Sequence, residues 1–252
     1  MTPPLLRAVV LRTRPFSETS LWVRLFSESH GKIAGLSKGA RRGKERIYTP
    51  LIEVEVKGYP PRADEHGLWT IGKPDLLRDW RSLTGDTDVL AYAWSILELI
   101  DTIVEEAHPQ PELYADLESS LDALECGQAD TAPAQLIWFM IRFADHLGYS
   151  LQYEICPRCG KPLVYPVGAM VSSLGGILCR KCSPAGTSSI PQLLWEMFVQ
   201  IAAEDQPPQI VLPLKLRDRL ISMVTDYLSY HTERPVKLKS LGLLSDYGNH
   251  RG

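Results

Sequence analysis

The chain has 252 residues, 44% hydrophobic and 23% charged, an ordinary globular composition. No apolar run approaches the ~20 residues a membrane-spanning helix needs, and Met1-Thr2-Pro3-Pro4-Leu5-Leu6-Arg7 lacks the basic-then-apolar order of a secretory signal, so the expected compartment is the cytoplasm. The net charge of −3 hides an asymmetry: residues 1–80 carry 14 Lys/Arg against 9 Asp/Glu, and residues 81–252 carry 13 against 21, so the first part is suited to a polyanion.

Residues 1–72 read as short strands. Stretches 5–13 and 19–27 are rich in Leu, Val and Thr and are separated by a break at Arg14-Pro15. In the second, Leu21, Val23 and Leu25 face one way and Trp22, Arg24 and Phe26 the other. His30-Gly31 turns the chain into a third strand at 32–36. A fourth spans 51–59, with Ile52, Val54 and Val56 alternating against Glu53, Glu55 and Lys57, and a fifth spans 68–71. Five short strands in so short a stretch predict a small closed barrel of the OB type. From Asp86 the period becomes helical, with Leu90, Ala93, Trp94, Leu97, Ile100 and Val104 on one face and Asp86, Thr87 or Asp88 able to cap the start. Further helices are expected at 112–124, 134–147 (with Gly148 as C-terminal cap), 191–203 and 214–230, and a short one within 236–244. The predicted class is α+β multi-domain: an N-terminal five-stranded OB-type β-barrel (1–80), then an α-helical domain (81–252) with an inserted four-cysteine zinc module at 152–184.

That insert carries four of the five cysteines, as Cys156-Pro157-Arg158-Cys159 and Cys179-Arg180-Lys181-Cys182, with 19 residues between the pairs. The spacing lies within the zinc-ribbon range. Each tight turn presents two thiolates on one side, and two such turns facing each other make a tetrahedral sulfur cage. Arg158, Arg180 and Lys181 lower the cost of the thiolate charge. A site of four cysteines is coordinatively closed, so one zinc per chain is expected to hold structure rather than to perform chemistry. The remaining cysteine, Cys126, reads as a small buried hydrophobe with no role.

Lys38, Arg41, Arg42, Lys44 and Arg46 crowd into nine residues, with Gly35, Gly39 and Gly43 letting the backbone approach a phosphate chain. Such a loop beside a barrel suits phosphate neutralisation without sequence readout. Trp22 and Arg24, with Phe26, offer an aromatic–guanidinium–aromatic face on strand two. Either it stacks on bases, or the aromatics pack against the helical part of the chain.

Catalytic signatures occur as chance strings. Gly39-Ala40-Arg41-Arg42-Gly43-Lys44-Glu45 is one residue too short for a P-loop and ends in Glu. Gly35-Leu36-Ser37-Lys38-Gly39 fits G-x-S-x-G but leads into a basic loop, not a helix. His231-Thr232-Glu233 lacks the P-C-x-x-C that a deaminase needs after it. The expectation is a protein with no catalytic residues, no small-molecule substrate and no membrane partner.

Ser17-Glu18-Thr19, His30-Gly31-Lys32 and Lys38-Gly39-Ala40-Arg41-Arg42 resemble the N-terminal barrel of RecO proteins. Phe143-Ala144-Asp145-His146-Leu147-Gly148-Tyr149 followed by Cys156-Pro157-Arg158-Cys159-Gly160 resembles the entry to that family's zinc module. The resemblance implies a nucleoid-associated recombination mediator in DNA repair. Such proteins bind single- and double-stranded DNA, anneal complementary strands, and work with RecR to load recombinase onto strands coated by single-strand-binding protein. Two other classes compete with it. A zinc-dependent hydrolase would need an open metal position, and a zinc-ribbon protein of transcription or translation would need the ribbon itself to hold nucleic acid.

Overall fold

The computed structural model describes residues 3–41, 48–61 and 67–244. Five strands, β1 (Leu5–Pro15), β2 (Leu21–Ser27), β3 (Gly31–Ser37), β4 (Ile52–Tyr59) and β5 (Trp69–Asp79), close into a barrel in the order β1-β2-β3-β5-β4. All neighbours are antiparallel except β3 and β5, which run parallel with Gly35 opposite Trp69. This is the OB-type barrel expected. The period-two pattern explains its filling: Leu6, Ala8, Val10, Val23, Leu25, Ile33, Ile52, Val54, Val56 and Ile71 form the interior.

The fifth strand is longer than its sequence suggests. The pattern predicts a strand over 68–71, yet it continues to Asp79. Pro74 pairs with Val56 beside a register shift, where the ladder is already interrupted and the missing N–H costs little.

The helices are α1 (Thr87–Ile103), α2 (Pro111–Cys126), α3 (Ala132–His146), α4 (Gln192–Ala202) and α5 (Leu214–His231), followed by a short 3-10 turn at Lys239–Leu243. Asp86 caps α1, its Oδ1 accepting from the backbone N–H of Asp88 at 2.9 Å and of Val89 at 3.1 Å. Gly148, at φ +82°, ends α3 as expected: its N–H reaches the Asp145 carbonyl and the Tyr149 N–H that of Ala144, both at 2.9 Å. Cys126 corrects an expectation. It is exposed, because it falls on the last residue of α2 rather than on the helix's apolar face.

Two compact units result. The first takes residues 1–85 and 97–115, so the end of α1 and the start of α2 belong with the barrel. The second takes residues 86–96 and 116–252 and contains the cysteine insert. Its core is set by α3, where Leu136, Ile137, Phe139, Met140 and Phe143 are all buried. Within the insert, β6 (Val167–Val171) and β7 (Gly176–Cys179) pair antiparallel. The insert is tied to the helices of its own unit: the Tyr153 hydroxyl donates to the Ala202 carbonyl at 3.0 Å, and the Tyr227 hydroxyl reaches the Ser150 and Gly175 carbonyls, each at 3.3 Å.

Candidate metal centre and nucleic-acid interface

Each cysteine pair closes a tight turn. Gly160, at φ +68°, returns its N–H to the Cys156 carbonyl at 2.9 Å, and the Cys156 N–H meets the Lys161 carbonyl at 2.8 Å. In the second pair, Cys182 and Ser183 both donate to the Cys179 carbonyl, at 3.0 and 3.1 Å. Arg158 links the turns by donating to the Cys182 carbonyl at 2.8 Å. Gly168 lies so close to Ser183 that a Cβ there would meet the hydroxyl at 1.7 Å, which explains the glycine.

The four Sγ atoms of Cys156, Cys159, Cys179 and Cys182 lie within 4.8 Å of one another. Cys159 and Cys179 are 3.9 Å apart at sulfur, far beyond a disulfide bond. That separation is close to the ~3.8 Å edge of a tetrahedron built on ~2.3 Å metal–sulfur bonds. Burial raises the Cys156 thiol, but backbone N–H groups of Cys179, Cys159 and Arg158 outweigh it and bring the pKa down to about 6. Hydrogen bonds with Cys179 and Cys159 push Cys182 up to about 12. A divalent cation beside these sulfurs would favour their thiolate forms. The donor set therefore fits one thiophilic, tetrahedral ion.

On the barrel, Lys38 and Arg41 are exposed just after β3. The Arg41 N–H donates to the Thr19 carbonyl at 3.1 Å and its guanidinium to the Ser17 carbonyl at 2.5 Å, fastening the start of the basic loop to the β1–β2 turn. Arg42, Lys44 and Arg46 lie outside the described residues. The outer face of β2 is engaged within its own unit. Phe26 is buried, with its ring 5.9 Å from that of Tyr114. Arg24 reaches Asp101 at 3.1 Å and Glu106 at 3.3 Å. Trp22 is half-buried, with Arg24 at 5.0 Å and Arg14 at 5.6 Å from its ring.

Asp101 and Glu106 are not legible as partners from local pattern, because they stand 77 and 82 residues from Arg24. The His30-Gly31-Lys32 string has a structural cause in the same place. A Cβ on Gly31 would lie 2.1 Å from the His108 carbonyl oxygen, and the Lys32 ammonium donates to the Asp101 carbonyl at 2.7 Å. Ser37 of the G-x-S-x-G string is buried at the end of β3 with its hydroxyl on the Gly72 carbonyl, so it forms no nucleophile elbow. His231 is ringed by Tyr149, Tyr227 and Tyr230.

An OB-type barrel followed by a helical unit with a closed four-thiolate module defines a distinct class of two-part protein. Residues 1–73 match the family described as Recombination protein O N terminal, and residues 84–241 match Recombination protein O C terminal. The chain is 31% identical over 205 residues to the DNA repair protein RecO of Pelobacter propionicus, covering 79% of each chain. It is 27% identical over 237 residues to that of Geobacter metallireducens, covering 94% of this chain and 95% of the other. With that of Caldanaerobacter subterraneus it shares 26% over 244 residues, covering 95% and 97%. The chain belongs to the RecO family. Among the described residues no helix is long and apolar enough to cross a membrane.

Proposed function

We propose that the protein is a recombination mediator of DNA repair, working in the cytoplasm on the nucleoid. In this reading the barrel, residues 1–80, binds single- and double-stranded DNA. Complementary strands are held, matched and released there, and RecR joins the protein to load recombinase onto strands coated by single-strand-binding protein. Membership of a family whose relatives are named DNA repair proteins supports the role. The observation that carries the DNA reading is the pair of exposed cations, Lys38 and Arg41, at the barrel's edge where the basic loop begins.

Lys38, Arg41, Arg42, Lys44 and Arg46 neutralise phosphates, a sequence-independent attraction that weakens with salt. Trp22 and Arg24 stand on β2 opposite Leu36 and Ala34 of β3, the strand that leads into this loop. Arg24 must compete for a phosphate against Asp101 and Glu106, so its share depends on those ion pairs loosening. Holding and matching strands needs no covalent step, which suits a protein without a nucleophile elbow. Residues 81–252 form the helical domain, and the module at 152–184 is held by one zinc on Cys156, Cys159, Cys179 and Cys182. Bound zinc compensates the four thiolates and fixes the two turns. It leaves no open position for a substrate.

The test is binding of the purified chain to an oligonucleotide and to a matched duplex across a salt series, with annealing of complementary strands followed alongside. The reading expects log K to fall linearly with log salt for both substrates and annealing to accelerate. Salt-independent or undetectable binding would remove DNA from the account.

A further inference from the structure

The β1–β2 turn carries an aromatic that the reading of the strands passed over. Phe16 is 60% exposed, among the most open of the large apolar side chains described. It is not on a loose tip. The Phe16 N–H donates to the Ser20 carbonyl at 3.0 Å, that of Ser17 to the same carbonyl at 3.3 Å, and that of Ser20 to the Ser17 hydroxyl at 3.1 Å. Arg41 then clamps the turn from the basic loop through the Ser17 and Thr19 carbonyls.

Exposed cations stand on the strand ends beside this turn. Arg14, two residues before Phe16, is exposed and lies opposite Trp22, with its guanidinium 5.6 Å from the indole ring. Lys38 follows Ser37, which pairs with Leu21 at the foot of the same turn. Glu18 is the one acid in the turn itself. A solvent-facing ring on a hydrogen-bonded turn, with exposed cations on the strand ends that lead into it, can hold a nucleic-acid backbone while a base lies on the ring. A base paired within a duplex cannot offer that face, whereas an unpaired base can.

We infer that Phe16 is a stacking post for an unpaired nucleobase, with Arg14, Lys38 and Arg41 taking the flanking phosphates, so that this turn favours single strand over duplex. The inference rests on the DNA-binding reading above and adds a residue and a discrimination to it. A protein partner is disfavoured because the exposed residues at the strand ends beside the turn include the cations Arg14 and Lys38.

The test measures affinity for an oligothymidine and for a matched duplex at several salt concentrations, in wild type, Phe16→Ala and Phe16→Trp. The expected result is that Phe16→Ala lowers oligothymidine affinity by about 5-fold to 100-fold. Duplex affinity should stay within about 2-fold and the salt slope should not change, because no charge is removed. Phe16→Trp should retain or raise the affinity. An oligothymidine affinity within 2-fold of wild type in Phe16→Ala would overturn the inference. So would equal losses on both substrates, or a change of oligomeric state in Phe16→Ala with DNA affinity intact, which would make the ring a protein contact. A wild type that binds neither substrate would instead overturn the DNA-binding reading, and the stacking post with it.

Discussion

Glu53 points away from the barrel interior, on the side of β4 that also carries Glu55 and Lys57, and its position in the sequence reads as solvent-facing. It is fully buried. Oε1 accepts from Arg7 Nε at 2.5 Å and from the Tyr114 hydroxyl at 2.8 Å, while Arg78 Nε stands 3.4 Å from Oε2. A buried carboxylate persists only when its charge is met and its lone pairs are used. Glu53→Ala should destabilise the barrel unit by ~2–4 kcal/mol in a denaturant titration, below the full cost of breaking a buried pair because both arginines can still reach water. A loss under ~1 kcal/mol would place this cluster with ordinary surface ion pairs such as Arg81–Asp79. Asp101 poses the opposite case, since its carboxylate engages Arg24 at 3.1 Å and approaches Arg12 at 3.9 Å. Asp101→Asn should cost little stability, ~0–1 kcal/mol, because the pairs are partly exposed. It should also tighten DNA binding and steepen the salt slope by up to about one, since Arg12 is released while Arg24 keeps Glu106 at 3.3 Å. An unchanged slope would show that Arg12 acts only within the fold.

At the scale of elements, regular periodicity was legible and irregular pairing was not. The alternation along β2 and β4 and the helical spacing from Leu90 onward located those elements closely, because burial of one face imposes the pattern directly, although α1 stops at Ile103, ahead of the expected break at His108-Pro109. Pro74 hid the second half of β5, since a proline reads as a stop unless the register shift beside it is known. Strands β6 and β7 were not legible either: at five and four residues, interrupted by glycine and serine, they owe their pairing to the cysteine turns rather than to a pattern of their own. The cysteines themselves were fully legible, because chelation fixes spacing. Cys156 is the buried member of the four, and its sulfur accepts the Cys179 N–H at 3.4 Å. Untagged protein should contain about one zinc per chain, and Cys156→Ser should reduce it well below that while raising hydrogen exchange across residues 152–184. Metal-held thiolates have depressed pKa values, so this stabilisation is present at neutral pH and lost as pH falls and protons displace the metal. Full zinc content with unchanged exchange in Cys156→Ser would show that three cysteines suffice.

Across the whole molecule, the surplus of positive charge lies in residues 1–80 and the acidic surplus in the remainder, which points to the part suited to a polyanion but not to particular cations. Folding sorts them. Arg7, Arg24, Lys32 and Arg78 are drawn into contacts inside the barrel unit, whereas Lys38 and Arg41 stay exposed at the basic loop. The DNA-binding reading therefore places most of the phosphate attraction on the loop, and removing two of its charges should be felt evenly by every sequence. Arg41→Ala with Arg42→Ala should weaken oligothymidine, mixed-sequence single strand and duplex by similar factors. Each lost phosphate contact should flatten log K against log salt by ~0.7 for single strands and ~0.9 for duplex. Annealing should slow in proportion, since both strands meet the same loop. Arg41 also clamps the β1–β2 turn, so Arg41→Lys with Arg42→Lys keeps the charge while weakening the clamp. If the lysine variant retains the wild-type slope while the alanine variant loses it, charge is the cause. If both lose affinity alike at every salt concentration with the slope unchanged, the loop acts through the shape of the turn it holds, and the phosphates must be met elsewhere on the barrel.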